Sequence, residues 1–156
     1  MKIAFISEAF EFTKEQLEDA YFNARGIGIK FDIQSKYVHH LLKKDLENKN
    51  FTVDAGMNLE CFYLKFGRLD SYAGIIFHAG IENQHRVKEL DEDYKNLRKI
   101  FLFGGERPRE QYERYFNDEV SEEEFPKSVI YKEGKILLCG PQRIDDIVSH
   151  FRTESS

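Results

Sequence analysis

Four short apolar runs, KIAFI (2–6), FTVDA (51–55), AGIIFH (73–78) and KIFLF (99–103), recur along the chain with amphipathic stretches between them. Each run has the length of a strand, and KIAFI, AGIIFH and KIFLF show little apolar–polar alternation, as expected of strands covered on both faces. The stretches between them carry apolar residues three and four apart, the spacing of a helix with one covered side. Strands that alternate with helices join through right-handed crossovers into a parallel sheet with helices on both faces. A chain of 156 residues suffices for one such core and is short for two.

The intervening stretches carry their own start and stop signals. Thr13 with Gln16 makes a capping box, Phe12 and Leu17 a hydrophobic staple, and Leu17, Ala20, Tyr21 and Ala24 a helical stripe that Gly26 ends. GIGIKFDI (26–33) reads as a short strand or an extended loop. A second helix is expected after Ser35, with Val38, Leu41, Leu42 and Leu46 inward and with His39 and His40 off that face, in solvent. Over 57–69 the segment CFYLKF alone would pass for a strand, but Leu59, Phe62, Tyr63, Phe66 and Leu69 fit a helix. Asn83 can cap a helix that turns Val87, Leu90, Tyr94 and Leu97 inward, and Pro108 suits the first turn of one bearing Tyr112, Tyr115 and Phe116. The acidic stretch NDEVSEEEF (117–125) precedes SVIYKEGKILLCG (128–140), a hairpin around Glu133-Gly134. Pro141 opens a last helix with Ile144, Ile147, Val148 and Phe151 on its inner stripe.

Composition narrows the function classes. The formal net charge of −5 argues against a nucleic-acid surface, which needs clustered Lys and Arg to displace phosphate counterions. Cys61 and Cys139 stand far apart with no metal-type spacing and read as reduced thiols. The N-terminal apolar run is short and soon acidic, unlike a signal peptide or a membrane span, so a cytoplasmic protein without membrane contact is expected.

Parallel sheets of this kind bind ligands at the carboxyl ends of their strands. That edge should collect Ser7, Glu8, His78 to Gly80, Gly104 to Arg107 and Cys139 to Arg143. From Ser35 onward the order helix, FTVDA, helix, YAGIIFH, KIFLFGG, helix, KILLCGP, helix resembles the receiver domain of bacterial response regulators. The resemblance implies a flavodoxin-like three-layer α/β sandwich with a mainly parallel five-stranded sheet, forming a single domain over 1–152. Residues 9–34 would be a helical insertion after the first strand, the 128–140 hairpin an extra edge strand, and 153–156 a frayed tail. In that family an acidic pair holds Mg²⁺, an Asp accepts the phosphoryl group, a Ser or Thr senses it and a Lys pairs with its charge. Here those places fall on Ser7 and Glu8, on His78, on Phe103 or Gly104, and on Gly140. One carboxylate with an imidazole makes a poor site for a hard cation that wants oxygen ligands. The resemblance is therefore to a pseudo-receiver whose pocket (Ser7, Glu8, His78, Gly104, Gly140) needs no metal or cofactor.

Each candidate residue has a bland and a sharp reading. His78 is expected as a neutral, hydrogen-bonded filler; the alternatives are a general base or phosphohistidine oriented by Glu8, or a metal site with Glu8 and His85. Gly104-Gly105 with Arg107 and Arg109 could hold an anion, or simply form a strand-to-helix turn. The acidic residues of 117–125 are a solvated face or a docking face for a basic partner. The leading expectation is a non-catalytic interaction domain. The resemblance implies a protein partner or a homodimer through 108–117 and 141–152, with Arg109, Tyr112, Arg143 and Asp146 on that surface. Two other function classes stay open: an acidic inhibitor of a basic toxin or nuclease, and an anion- or nucleotide-binding enzyme using the His78 edge.

Overall fold

In the computed structural model the described residues are 1–78, 86–103, 129–132, 135–139 and 144–152. The chain begins with β1 (Lys2–Ile6), a 3-10 turn (Glu8–Glu11), α1 (Lys14–Asn23) and a long α2 (Ile27–Asn48). It continues with β2 (Thr52–Gly56), α3 (Leu59–Phe66), a second 3-10 turn (Leu69–Ser71) and β3 (Gly74–His78). Then come α4 (Val87–Asp93), β4 (Arg98–Phe103), β5 (Val129–Lys132), β6 (Lys135–Cys139) and α5 (Ile144–Arg152).

β2, β1, β3 and β4 lie side by side and all parallel, an α/β sheet consistent with a flavodoxin-like fold. β6 pairs parallel to β4, with β5 antiparallel beyond it, so the strand order is β2-β1-β3-β4-β6-β5. Alternate residues of the central strands feed two cores. Ile3, Phe5, Ile76 and Ile100 meet Leu42 and Leu46 of α2 and Ile147 and Phe151 of α5. Ala4, Ile6, Ile75 and Phe77 meet Leu59 and Phe62 of α3, Leu90 of α4 and Tyr94 just after it on the other face. Each fully buried side chain of this kind contributes roughly 1.5–3 kcal/mol through removal from water.

Local chemistry explains the elements. Thr13 Oγ1 accepts the Gln16 N–H at 3.1 Å while Gln16 Oε1 accepts the Thr13 N–H at 2.8 Å, the reciprocal capping box expected for α1. Asn58 caps α3 by accepting the Cys61 N–H, and Gly67, at φ +85°, ends it. The sequence 26–33 is helical from Ile27, neither strand nor loop, and α2 starts well before Ser35. Its Ile and Phe residues suit a strand, but Ile27 and Ile29 stand exposed, and α2 meets α1 through Lys30 and the residues that follow the segment. Tyr37 donates to Glu18 at 3.0 Å, Gln34 to Tyr21 at 3.5 Å, and the Lys30 ammonium stands 5.3 Å from the Tyr21 ring centre. The segment read as an insertion thus becomes an antiparallel hairpin, α1 against the first half of α2.

One topological feature positions the site. β1 passes to β2 on one side of the sheet through α2, while β3 passes to β4 on the other side through α4 on the opposite face. The chain reverses its direction of travel between β1 and β3, the switch point at which sheets of this kind place a crevice beyond the strands' carboxyl ends. Ser7 and His78 stand on its two sides.

Candidate functional site

Ser7 leaves β1 with its backbone tied to β2, since its N–H donates to the Gly56 carbonyl at 2.9 Å. Its hydroxyl caps the 3-10 turn by accepting the Ala9 N–H at 3.1 Å. The same oxygen lies 2.6 Å from His39 Nδ1, 32 residues away on α2. With the Ala9 N–H already on the oxygen, the hydroxyl proton can go to Nδ1, which leaves the ring proton on Nε2.

His39 therefore lies inside the molecule, where the sequence placed it in solvent. The inward stripe of α2 is His39, Leu42 and Leu46, spaced three and four apart, whereas Val38 and Leu41 are 40% and 38% exposed. The imidazole is 6% exposed, tilted against the Phe5 ring and edge-on to the ring of His78 at 4.8 Å. Burial pushes it down to about 3, and His78 and then His40 add to the effect, so it is neutral at physiological pH. His40 is also engaged, its Nε2 donating to the Ala9 carbonyl at 2.8 Å while Phe10 packs edge-on to its ring. The two adjacent histidines thus hold the start of one turn, His39 through the Ser7 hydroxyl and His40 through the Ala9 carbonyl.

His78, at the end of β3, is half-buried, and burial lowers its pKa as well. Its Nδ1 is buried without a hydrogen-bond partner among the described residues. Its ring neighbour is His39, which the sequence did not bring to this edge. Glu8 is half-buried in the first position of the 3-10 turn. Gly104, Gly140, Arg109, Tyr112 and Arg143 lie outside the described residues, as do His85, 104–128 and 141–143. Asp146 falls on the backbone of α5.

The chemistry of this edge is restricted. A nucleophile must reach its substrate, and Ser7 is 1% exposed with its oxygen engaged twice. A general base works best with a pKa near the working pH, and His39 is far below it. Among the described residues no group of three or more His, Cys, Asp or Glu could hold a metal ion. Nor is any described helix long and apolar enough to cross a membrane. What the cluster does well is join α2 to β1 and β3 across the crevice, a hydrogen bond on one side of His39 and a ring contact on the other. The signal for it was in the sequence, at 39, 42 and 46, but polar residues are discounted when apolar stripes are read. No family model, curated protein or solved structure matches the chain.

Proposed function

We propose that the chain is a receiver-like regulatory domain that acts through contacts with other proteins and independently of phosphorylation. On this reading β2, β1, β3, β4 and β6 are the five strands of a receiver sheet, and β5, the first strand of the hairpin, is an added edge. The observation that carries the reading is His39. A phosphoryl-accepting crevice needs Mg²⁺ ligands and an exposed carboxylate, and here an uncharged imidazole from α2 fills the space between Ser7 and His78. The groups that would otherwise switch the domain hold one conformation of the rim instead. Signalling would then come from the surface, including the outer side of α5 and the segment 108–117.

The test is incubation of the intact protein with acetyl phosphate and Mg²⁺, followed by intact-mass analysis. The expected spectrum is unchanged. A stable adduct of one phosphoryl group would overturn the proposal.

A further inference from the structure

Eight large apolar side chains stand exposed among the described residues, and six of them lie between Phe12 and Leu41. Phe22 is 84% exposed, Ile27 90% and Ile29 58%, all on the hairpin of α1 and α2. Scattered apolar residues are ordinary on a surface, but a concentration on one supersecondary unit marks a contact site. The two helices leave a groove of about 380 Å³ walled by Leu17, Tyr21, Ile33 and Tyr37, with Phe22 on its rim. The protruding ring and the recess are thus on the same face.

We infer that this hairpin is the surface on which two copies of the chain join, Phe22 of each entering the α1–α2 groove of the other. A protrusion and a recess on one patch can satisfy each other twice around a two-fold axis, so the contact closes as a dimer and does not propagate. Charge favours the same pairing. On α1, Glu15, Glu18 and Asp19 outnumber Lys14, while over 25–36 Arg25, Lys30 and Lys36 outnumber Asp32. A two-fold arrangement that lays α1 of one copy along the start of α2 of the other sets the acidic stretch against the basic one twice. Aromatic residues at the centre with charges around them are also the composition that contact surfaces favour. This face belongs to α1 and the start of α2 and includes no residue of α5. It builds on the interaction-domain reading by naming a partner, and its failure would leave the phosphorylation result untouched.

Sedimentation velocity over a concentration series provides the test. The whole chain is expected to sediment as a dimer, and F22E/I27E as a monomer with an unchanged circular dichroism spectrum and urea midpoint, both positions being solvent-exposed. E15K/D19K and R25E/K30E should each weaken self-association at least tenfold, and an equimolar mixture of the two should restore it, because both contacts then join opposite charges. A monomer at every concentration overturns the inference, as does a dimer that survives F22E/I27E or one abolished by Asp145→Lys on α5. Flotation of the wild type with anionic vesicles, lost in F22E/I27E with no change in oligomeric state, would also overturn it.

Discussion

His39 shows how one polar side chain can hold three elements. Its Nδ1 engages the hydroxyl that caps the turn after β1, its ring meets the residue that ends β3, and its backbone belongs to α2. Ser7 is the other half of the joint. Ser7→Ala removes the cap acceptor of Ala9 and the partner of a buried imidazole nitrogen. Leaving a buried polar atom unpaired costs about 1–3 kcal/mol, and loss of a cap about 1 kcal/mol. The variant should therefore lose roughly 2–3 kcal/mol in urea unfolding at neutral pH, the lower end of the combined cost because both bonds share one oxygen. A loss below about 0.5 kcal/mol, the range of ordinary surface changes, would mean that the Ser7–His39 contact is incidental.

At the level of elements, β3 and α5 approach closely at Gly74. A Cβ there would stand 2.3 Å from Phe151 Cε1 and 2.6 Å from Cδ1, with the Arg98 carbonyl at 3.1 Å. Phe151 is almost fully buried against Phe51 and has little room to yield. Gly74→Ala should destabilise by about 1–3 kcal/mol, the usual cost of overpacking, and Gly74→Ala/Phe151→Leu should recover part of it. Equal stability of Gly74→Ala and wild type would contradict this packing.

The elements themselves were largely legible in the sequence. KIAFI, AGIIFH and KIFLF are buried strands because nearly every position is apolar, and the Thr13–Gln16 box marks its helix by local chemistry alone. GIGIKFDI was not legible, because its isoleucines do not mark a covered side (Ile27 and Ile29 are exposed) and the contacts of α2 with α1 come from Lys30 and from Gln34 and Tyr37 beyond the segment. The same holds for the site. Ser7 and His78 follow from topology, since strand ends converge at the crevice, whereas His39 arrives from 32 positions away and its neighbours Val38 and Leu41 carry the more apolar stripe.

For the whole molecule, buried neutral histidines tie stability to pH. His39 at about 3 and His150 at about 4, the latter lowered by burial first and by Arg98 second, both lie below the ordinary value of 6.5. Above 6.5 neither state binds these protons and their contribution is fully favourable. As pH falls below 6.5 the unfolded chain takes them up while the folded chain resists, so stability declines, at up to about 1.4 kcal/mol per pH unit for each group, until the folded values near 3–4 are reached. Urea midpoints should fall from pH 7 to pH 4.5, and less steeply in His39→Asn, which keeps a polar atom at the Nδ1 position. A flat profile in the wild type would refute the burial of these rings.

The closure of the β1–β3 rim by an uncharged His39 is most directly tested by long-range ¹H–¹⁵N NMR of the histidine rings. The spectrum would be followed from pH 7.5 to 4.5 and again with Mg²⁺ and beryllofluoride, a phosphoryl mimic. His39 should stay in one neutral tautomer with its proton on Nε2 throughout, and neither its signals nor those of His78 should move with the mimic. A His39 imidazole that titrates near 6.5, or a saturable shift at His39 or His78 on adding Mg²⁺ and beryllofluoride, would contradict the account.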